Sequence, residues 1–121
     1  MTTKMVQRGE VLDWANATGS TVLSGAVVTL KHCVGIALTD IANGAVGAVA
    51  IKGCFTVPKV TASAIAAGEK LLWDLSALKF DNSAATPATG DIMGCAIAMA
   101  AGINGDTTIV AQLTPGNNTL T

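Results

Sequence analysis

Apolar and polar residues alternate in short stretches along most of this chain, and the alternation has the two-residue period of β-strands. Val34, Ile36 and Leu38 are separated by small residues, which predicts one such strand. Asn43-Gly44 favours the positive φ angles of a tight hairpin turn. A long return strand over residues 48–57 follows, so this region is predicted to be a β-hairpin.

Other short strands are separated by turns rich in glycine, asparagine and aspartate. They are predicted over residues 11–16, 27–30, 70–73, 78–80, 92–99 and 107–113. Many short strands with little helix indicate a small all-β barrel or sandwich. We expect one domain over residues 10–113, between a flexible N-terminal arm at 1–9 and a flexible tail at 114–121.

A single short helix is predicted near residues 61–67, where the sequence is rich in alanine. Thr61 or Ser63 would cap its first turn, and Gly68 would end it. A helix of this length is not stable alone, so it would have to pack against the strands.

The chain carries unusually little charge for its size. Half of its 121 residues are apolar and 12% are charged, against about 25% charged in an average domain. We therefore expect an apolar part of the surface to contact another subunit or a partner. No membrane partner is expected, because the longest apolar run, at 93–103, is about half of the ~20 residues that a spanning helix requires. The first 14 residues also lack the apolar core of a secretory signal.

Nucleic acid is not an expected partner either. The formal net charge is −1, and the seven lysine and arginine residues are scattered singly, whereas phosphate binding needs clustered cations. The chain has no tyrosine and only two phenylalanines, so it offers few platforms for base stacking. Its three cysteines have no metal-binding spacing, and we expect them to be small buried apolar residues in a reducing compartment.

No catalytic or metal-binding motif is apparent, so an enzyme, a cofactor and a small-molecule substrate are not expected. His32 is the only histidine, and Ser24 and Asp40 lack the motif that surrounds a catalytic serine. An ATP-binding loop would need Gly-Lys followed by serine or threonine, whereas the nearest match, Gly68-Glu69-Lys70, is followed by Leu71. No calcium-binding loop spacing is present among the aspartates.

Several short sequence segments occur together in an order that resembles the capsid cement, or head decoration, proteins of tailed bacteriophages. They are Ser24-Gly25, Val34–Ala37, Asp40–Gly44, Gly53–Lys59 and Gly68–Asp74. Some members of that family carry the label of predicted recombinases, but the absent phosphate loop argues against such an activity here. The likeness extends over most of the chain, from about Val6 to Leu113.

The resemblance implies a compact, β-clip-like barrel and a non-enzymatic structural role in the virion. Such a protein binds the outer surface of an expanded capsid as a homotrimer and reinforces contacts between capsomers. Its partners would be the major capsid protein and itself, first in the host cytoplasm during assembly and then on the finished shell. An alternative is a small β-barrel binding module of a phage tail or adhesion apparatus, which the scarcity of aromatic residues disfavours.

Two sets of residues are candidates for contacts in that role. In the N-terminal arm, Val6 beside Met5 would fill a pocket on the capsid, and Lys4 and Arg8 would pair with capsid carboxylates. The alternative is a disordered leader without a role. The apolar run near the C-terminus supplies the expected subunit interface, for which the candidates are Ile97, Met99 and Ile109.

Overall fold

The computed structural model describes residues 9–116 and 118–121, and in this part of the chain it contains strands and no helix. Ten strands form two antiparallel sheets. In chain order they are β1 (Val11–Ala15), β2 (Val27–Thr29), β3 (Val34–Ala37), β4 (Val46–Ala50), β5 (Gly53–Pro58), β6 (Lys70–Asp74), β7 (Lys79–Asp81), β8 (Ile92–Ala98), β9 (Thr108–Leu113) and β10 (Thr119–Leu120).

The first sheet has the strand order β1-β4-β3-β2, and β3 is its most enclosed strand. All four β3 residues are buried because both faces of the strand are covered. Val34 and Ile36 join the main core, which the second sheet completes. Ala37 lies on the other face, in a smaller core with Ile41 and Val49. The alternation read in the sequence therefore corresponds to two separate apolar layers.

The second sheet has the order β5-β9-β8-β6-β7, and the long strand β8 also pairs with β10. A β-bulge interrupts β8, since its register to β6 shifts between Leu71 and Leu72. Gly94 lies in that bulge with a φ of 81°, an angle that favours glycine. The part of β8 after the bulge pairs with β9, and the part before the bulge pairs with β10.

Trp73 joins the two sheets. It lies on β6 with 1% of its surface exposed, and its ring contacts Phe80 at a centroid distance of 4.9 Å. The indole Nε1–H donates a hydrogen bond of 3.2 Å to Thr29 Oγ1 on β2. A buried tryptophan with its N–H satisfied in this way fixes one sheet against the other.

The all-β prediction is confirmed, while four details differ. The return strand predicted over residues 48–57 is divided, because β4 ends at Ala50 in the first sheet and β5 begins at Gly53 in the second. The predicted helix at 61–67 is absent, because Ile65 is 3% exposed and exchanges two main-chain hydrogen bonds of 2.8 Å with Gly102. This long-range pairing outweighs a helix too short to satisfy its own ends. The sheets do not close into a barrel in the described residues, and both keep edge strands. The predicted flexible tail includes β10, which pairs with Met93 and Ile92.

The Val49 side chain on β4 lies against Gly35, and this contact predicts that Gly35→Ala destabilises the protein. A Cβ at residue 35 would collide with Val49 Cγ1 and lie 3.0 Å from the Ala50 carbonyl oxygen, neither of which has room to move. We expect a loss of about 1–3 kcal/mol in the free energy of unfolding, measured by urea denaturation. Gly102→Ala is the control, because its new Cβ would meet only side-chain atoms of Lys59 and Ile109, at 3.0 Å or more, and would not collide outright with either. Equal losses in the two variants would contradict this account.

Candidate functional site

An apolar groove lies where the two sheets meet. It consists of two adjoining hollows of about 490 Å³ and 240 Å³, which share Ala26, Val27 and Leu78. Trp14 lines the larger hollow and Trp73 the smaller one. None of the lining residues is charged, so the groove suits an apolar partner better than a polar substrate.

One wall of the groove is the loop between β6 and β7, and two carboxylates hold it in place. Asp74 Oδ1 accepts hydrogen bonds from the Ser76 N–H, the Ser76 hydroxyl and the Ala77 N–H. Asp91 is buried, and its two oxygens accept from the N–H groups of Leu75 and Ala88. These bonds hold residues 75–77, the first part of the loop, in place before any partner arrives.

The opposite wall is the segment before β2, which is held in a similar way. Asp40 Oδ1 accepts a hydrogen bond of 2.7 Å from the Ser24 N–H. Val22 pairs with Ile41, and the buried side-chain amide of Asn16 donates to the carbonyls of Ser20 and Ile41. Each of these polar groups bonds to main-chain atoms of this wall, so the side chains that line the groove are mostly apolar.

Leu78 stands out at the rim of the groove, because it is the only described non-glycine residue with a positive φ, at 54°. Its side chain is nevertheless 59% exposed. The left-handed conformation costs a leucine about 1–2 kcal/mol relative to its ordinary conformations. Glycine or asparagine would adopt this turn with less strain, so the turn itself does not explain the leucine.

The outer face of the second sheet carries a separate apolar patch. Ile97 is partly exposed there, Met99 is 48% exposed and Val110 is 40% exposed. The Met99 N–H bonds to the Val110 carbonyl, so these two residues are neighbours across β8 and β9. Ile109 points the other way and is 5% exposed in the main core. Burial alternates strictly along β9. The signal available in the sequence was that successive residues of a strand face opposite sides, so Ile109 and Val110 could not share one interface.

The other candidate residues have no catalytic arrangement. His32 is exposed, and Asp40 supports the backbone at Ser24. Within residues 9–116 and 118–121, no cluster of histidine, cysteine and acidic residues could hold a metal ion. The same residues include no helix with the length and apolar character needed to span a membrane. Lys4, Met5, Val6 and Arg8 lie outside the described residues.

Comparison with known proteins identifies a family for this chain. The model of a family described as phage cement protein matches residues 6–113. The chain belongs to the phage cement protein family. No curated protein and no solved structure matches it. Membership gives this cement protein a structural role in a phage capsid, and a structural family fits the absence of an enzyme motif.

The cysteines of the cement protein differ in environment, contrary to the expectation that all three are buried. Cys95 lies in the β8 bulge with its side chain buried, and loss of solvation raises the pKa of its thiol to about 12. Cys33 is partly exposed, and partial burial raises its pKa as well. Cys54 is exposed on β5. The apolar residues of this strand did not indicate in the sequence which of its two faces is exposed.

These environments predict different reactivities toward an alkylating reagent. At pH 8 and with the protein folded, iodoacetamide should modify Cys54 first, Cys33 slowly and Cys95 least, because the thiolate is the reacting form. Mass spectrometry of peptides over time measures the three rates. Protein unfolded in urea is the control, in which all three rates should be similar. Rapid modification of Cys95 in the folded protein would contradict its enclosed position.

Proposed function

We propose that this cement protein binds the outer surface of the expanded capsid as a homotrimer and reinforces contacts between neighbouring capsomers. Its family membership over residues 6–113 is the observation that carries this proposal. The proposed partners are the major capsid protein and other copies of the chain, with no nucleic acid, membrane or small-molecule substrate. It would act first in the host cytoplasm during assembly and then on the finished virion.

The distribution of apolar surface supports two separate kinds of contact. The patch of Ile97, Met99 and Val110 lies on the outer face of the second sheet, and we assign it to contacts between copies. The groove and the start of β1 belong largely to the first sheet, and we assign them to the shell. A protein that clamps a shell needs both surfaces at once, which accounts for its low content of charge.

Weak contacts are sufficient for such a clamp when they act together. A trimer presents three identical sites, which suits a local threefold position on the shell. Once one site is bound, the others bind at a high effective concentration, so the total affinity greatly exceeds that of each contact. Packed DNA presses the shell outward, and each bridge between capsomers raises the free energy needed to separate them.

The trimer predicts that a charge placed in the patch separates the copies. We expect light scattering at micromolar concentration to give three times the chain mass for the wild type and the mass of one chain for Val110→Lys. A subunit interface of this class buries about 800 Å² on each partner, and a lysine in its centre would lose solvation without a counter-charge. Val46→Lys is the control, since Val46 is 67% exposed on β4 and outside the patch. A wild-type monomer at every concentration would contradict a trimer in solution.

The N-terminal arm predicts a separate loss of capsid binding. In this proposal Met5 and Val6 fill a pocket on the capsid, and Lys4 and Arg8 pair with carboxylates, as the arm forms a strand on the shell. Deleting residues 2–7 should leave the trimer intact and weaken co-sedimentation with expanded, undecorated heads at least about tenfold, or about 1.4 kcal/mol per site. Ordering costs of about 1–2 kcal/mol per residue limit the gain from the arm. Unchanged affinity of the shortened protein would show that the arm makes no contribution.

A further inference from the structure

We propose that one end of the first sheet, called the cationic end below, binds an acidic segment of the major capsid protein. The cationic end consists of the exposed side chains of Lys31, His32 and Lys52. This inference rests on the proposed binding to the capsid and gives that contact a surface and a chemistry. The lysine and arginine residues are scattered in the sequence, so the cluster is a product of the strand arrangement.

The antiparallel strand directions bring these residues to one end. β1 and β3 begin at this end of the first sheet, and β2 and β4 finish there. Lys31 and His32 occupy the turn between β2 and β3, and Lys52 follows the end of β4. In the strand order β1-β4-β3-β2, Lys52 therefore lies between the start of β1 and that turn.

Main-chain hydrogen bonds fix the backbone on both sides of the cluster. The Leu30 N–H donates to the Cys33 carbonyl at 2.8 Å, which closes the turn between β2 and β3. The Ile51 N–H donates to the Glu10 carbonyl at 2.9 Å, which ties the end of β4 to the chain just before β1. The backbone that carries the cations therefore loses little conformational freedom when a partner binds.

Charge is separated along the first sheet. The opposite end is formed by residues 16–26 and 38–45, in which Asp40 is the only charged residue. At the cationic end, Lys31 and Lys52 outweigh Glu10, which is the only described acid there. An acidic ligand is therefore attracted to this end of the sheet and not to the other.

The cations of this end have no partner in the part of the chain that the structure describes. Lys31, His32 and Lys52 make no side-chain hydrogen bond or ion pair there. Most acids, in contrast, already bind main chain. Six of the eight acidic residues accept main-chain N–H groups of their own copy, namely Asp40, Glu69, Asp74, Asp81, Asp91 and Asp106.

The rest of the same chain cannot supply the missing negative charge. Residues 1–8 contain Lys4 and Arg8 and no acidic residue, and residue 117 is an asparagine. These segments add positive charge or none, whatever their position. The counter-charge must therefore come from another molecule.

Another copy of this chain is a poor source of that charge. Only Glu10 and Asp13 keep a carboxylate that is not bonded to main chain in the described residues. Glu10 belongs to the cationic end itself, so bringing it to a second copy would also bring the lysines of both copies together. Asp13 is a single carboxylate on β1. The capsid protein is the other partner of the proposed function, and we assign the acidic segment to it.

The width of the cationic end sets the form of that segment. Lys52 and the turn with Lys31 are one to two strand positions apart, or about 5–10 Å at the usual strand spacing. Alternate side chains of an extended segment face the same side and are about 7 Å apart. Aspartate or glutamate at alternate positions of an extended capsid segment would therefore meet both lysines.

Neutralising the lysines separates binding from folding. Both are exposed and unbonded, so Lys31→Gln, Lys52→Gln and the double variant should keep the wild-type free energy of unfolding and oligomeric state. At ~0.05 M salt, affinity for expanded, undecorated heads should fall at least about threefold in each single variant and about tenfold in the double variant, since each loss is repeated in every copy. The difference should shrink near ~0.5 M salt, where such pairs are screened.

Lys70→Gln is the matched control for the single variants. It removes the same charge from an exposed position on β6 of the second sheet, so its affinity for heads should equal that of the wild type. An equal loss in Lys70→Gln and Lys52→Gln would show that only net charge matters and would overturn the assignment to the cationic end.

A zero-length cross-linker identifies the partner. A carbodiimide activates a carboxylate, and a lysine amine in contact with it forms an amide while the urea leaves. On decorated heads we expect Lys31 or Lys52 joined to an aspartate or glutamate of the capsid protein, detected by peptide mass spectrometry. With isotope-labelled and unlabelled copies mixed, a link from these lysines to Glu10 or Asp13 of another copy would identify that copy as the occupant and overturn the proposal.

The remaining outcomes distinguish this inference from the proposed function. If the wild type sediments with heads, the double variant binds equally well at low salt and no link to the capsid forms, the cationic end is not the contact, although capsid binding stands. A gel shift of DNA by the wild type that the double variant loses would identify nucleic acid as the ligand and overturn the proposal. If the wild type does not sediment with heads, capsid binding fails and this inference fails with it.

Discussion

The contact of Trp73 with the first sheet is the interaction on which the rest of this structure depends. The side chain belongs to β6, packs against Phe80 and donates its one hydrogen bond to Thr29 on β2. The same indole therefore completes the core, fixes the position of an edge strand and lines the groove. A phenylalanine at this position would fill much of the space but would leave β2 without that hydrogen bond.

The remaining architecture follows from placing two apolar layers around β3. Val34 and Ile36 face the second sheet, whereas Gly35 and Ala37 face the small core around Val49. The absence of a side chain at residue 35 leaves room for the Val49 side chain in the small core, which Trp14 and the segment before β2 then cover. The residues that cover the small core, such as Trp14 and Val22, also form one wall of the groove. The groove therefore results from the way in which the small core is enclosed.

Local patterns in the sequence predicted most of the strands, because alternation and turn residues act over a few positions. The turn at Asn43-Gly44 and the alternation that begins at Val34 are examples. Features that depend on distant partners were not predictable in this way. Ile65 is held by Gly102 and so is not helical, and Lys59, one of the scattered lysines, is fully buried where its ammonium donates to two carbonyls. The strained backbone of Leu78 has no signal in its own residue type, since asparagine or glycine is usual in such a turn.

The separation of the two apolar surfaces bears on how a clamp of this kind would transmit force. We have proposed that copies contact one another through the second sheet, around Met99 and Val110, and that the shell contacts the first sheet. Force on the first sheet would pass to the second sheet through the packed core and the bond between Thr29 and Trp73. Protein interiors are closely packed and transmit strain with little compression. In the proposed clamp, a rigid connection between the sheets would therefore let the contact with the shell and the contact between copies resist opening together, which two flexibly linked surfaces would not do.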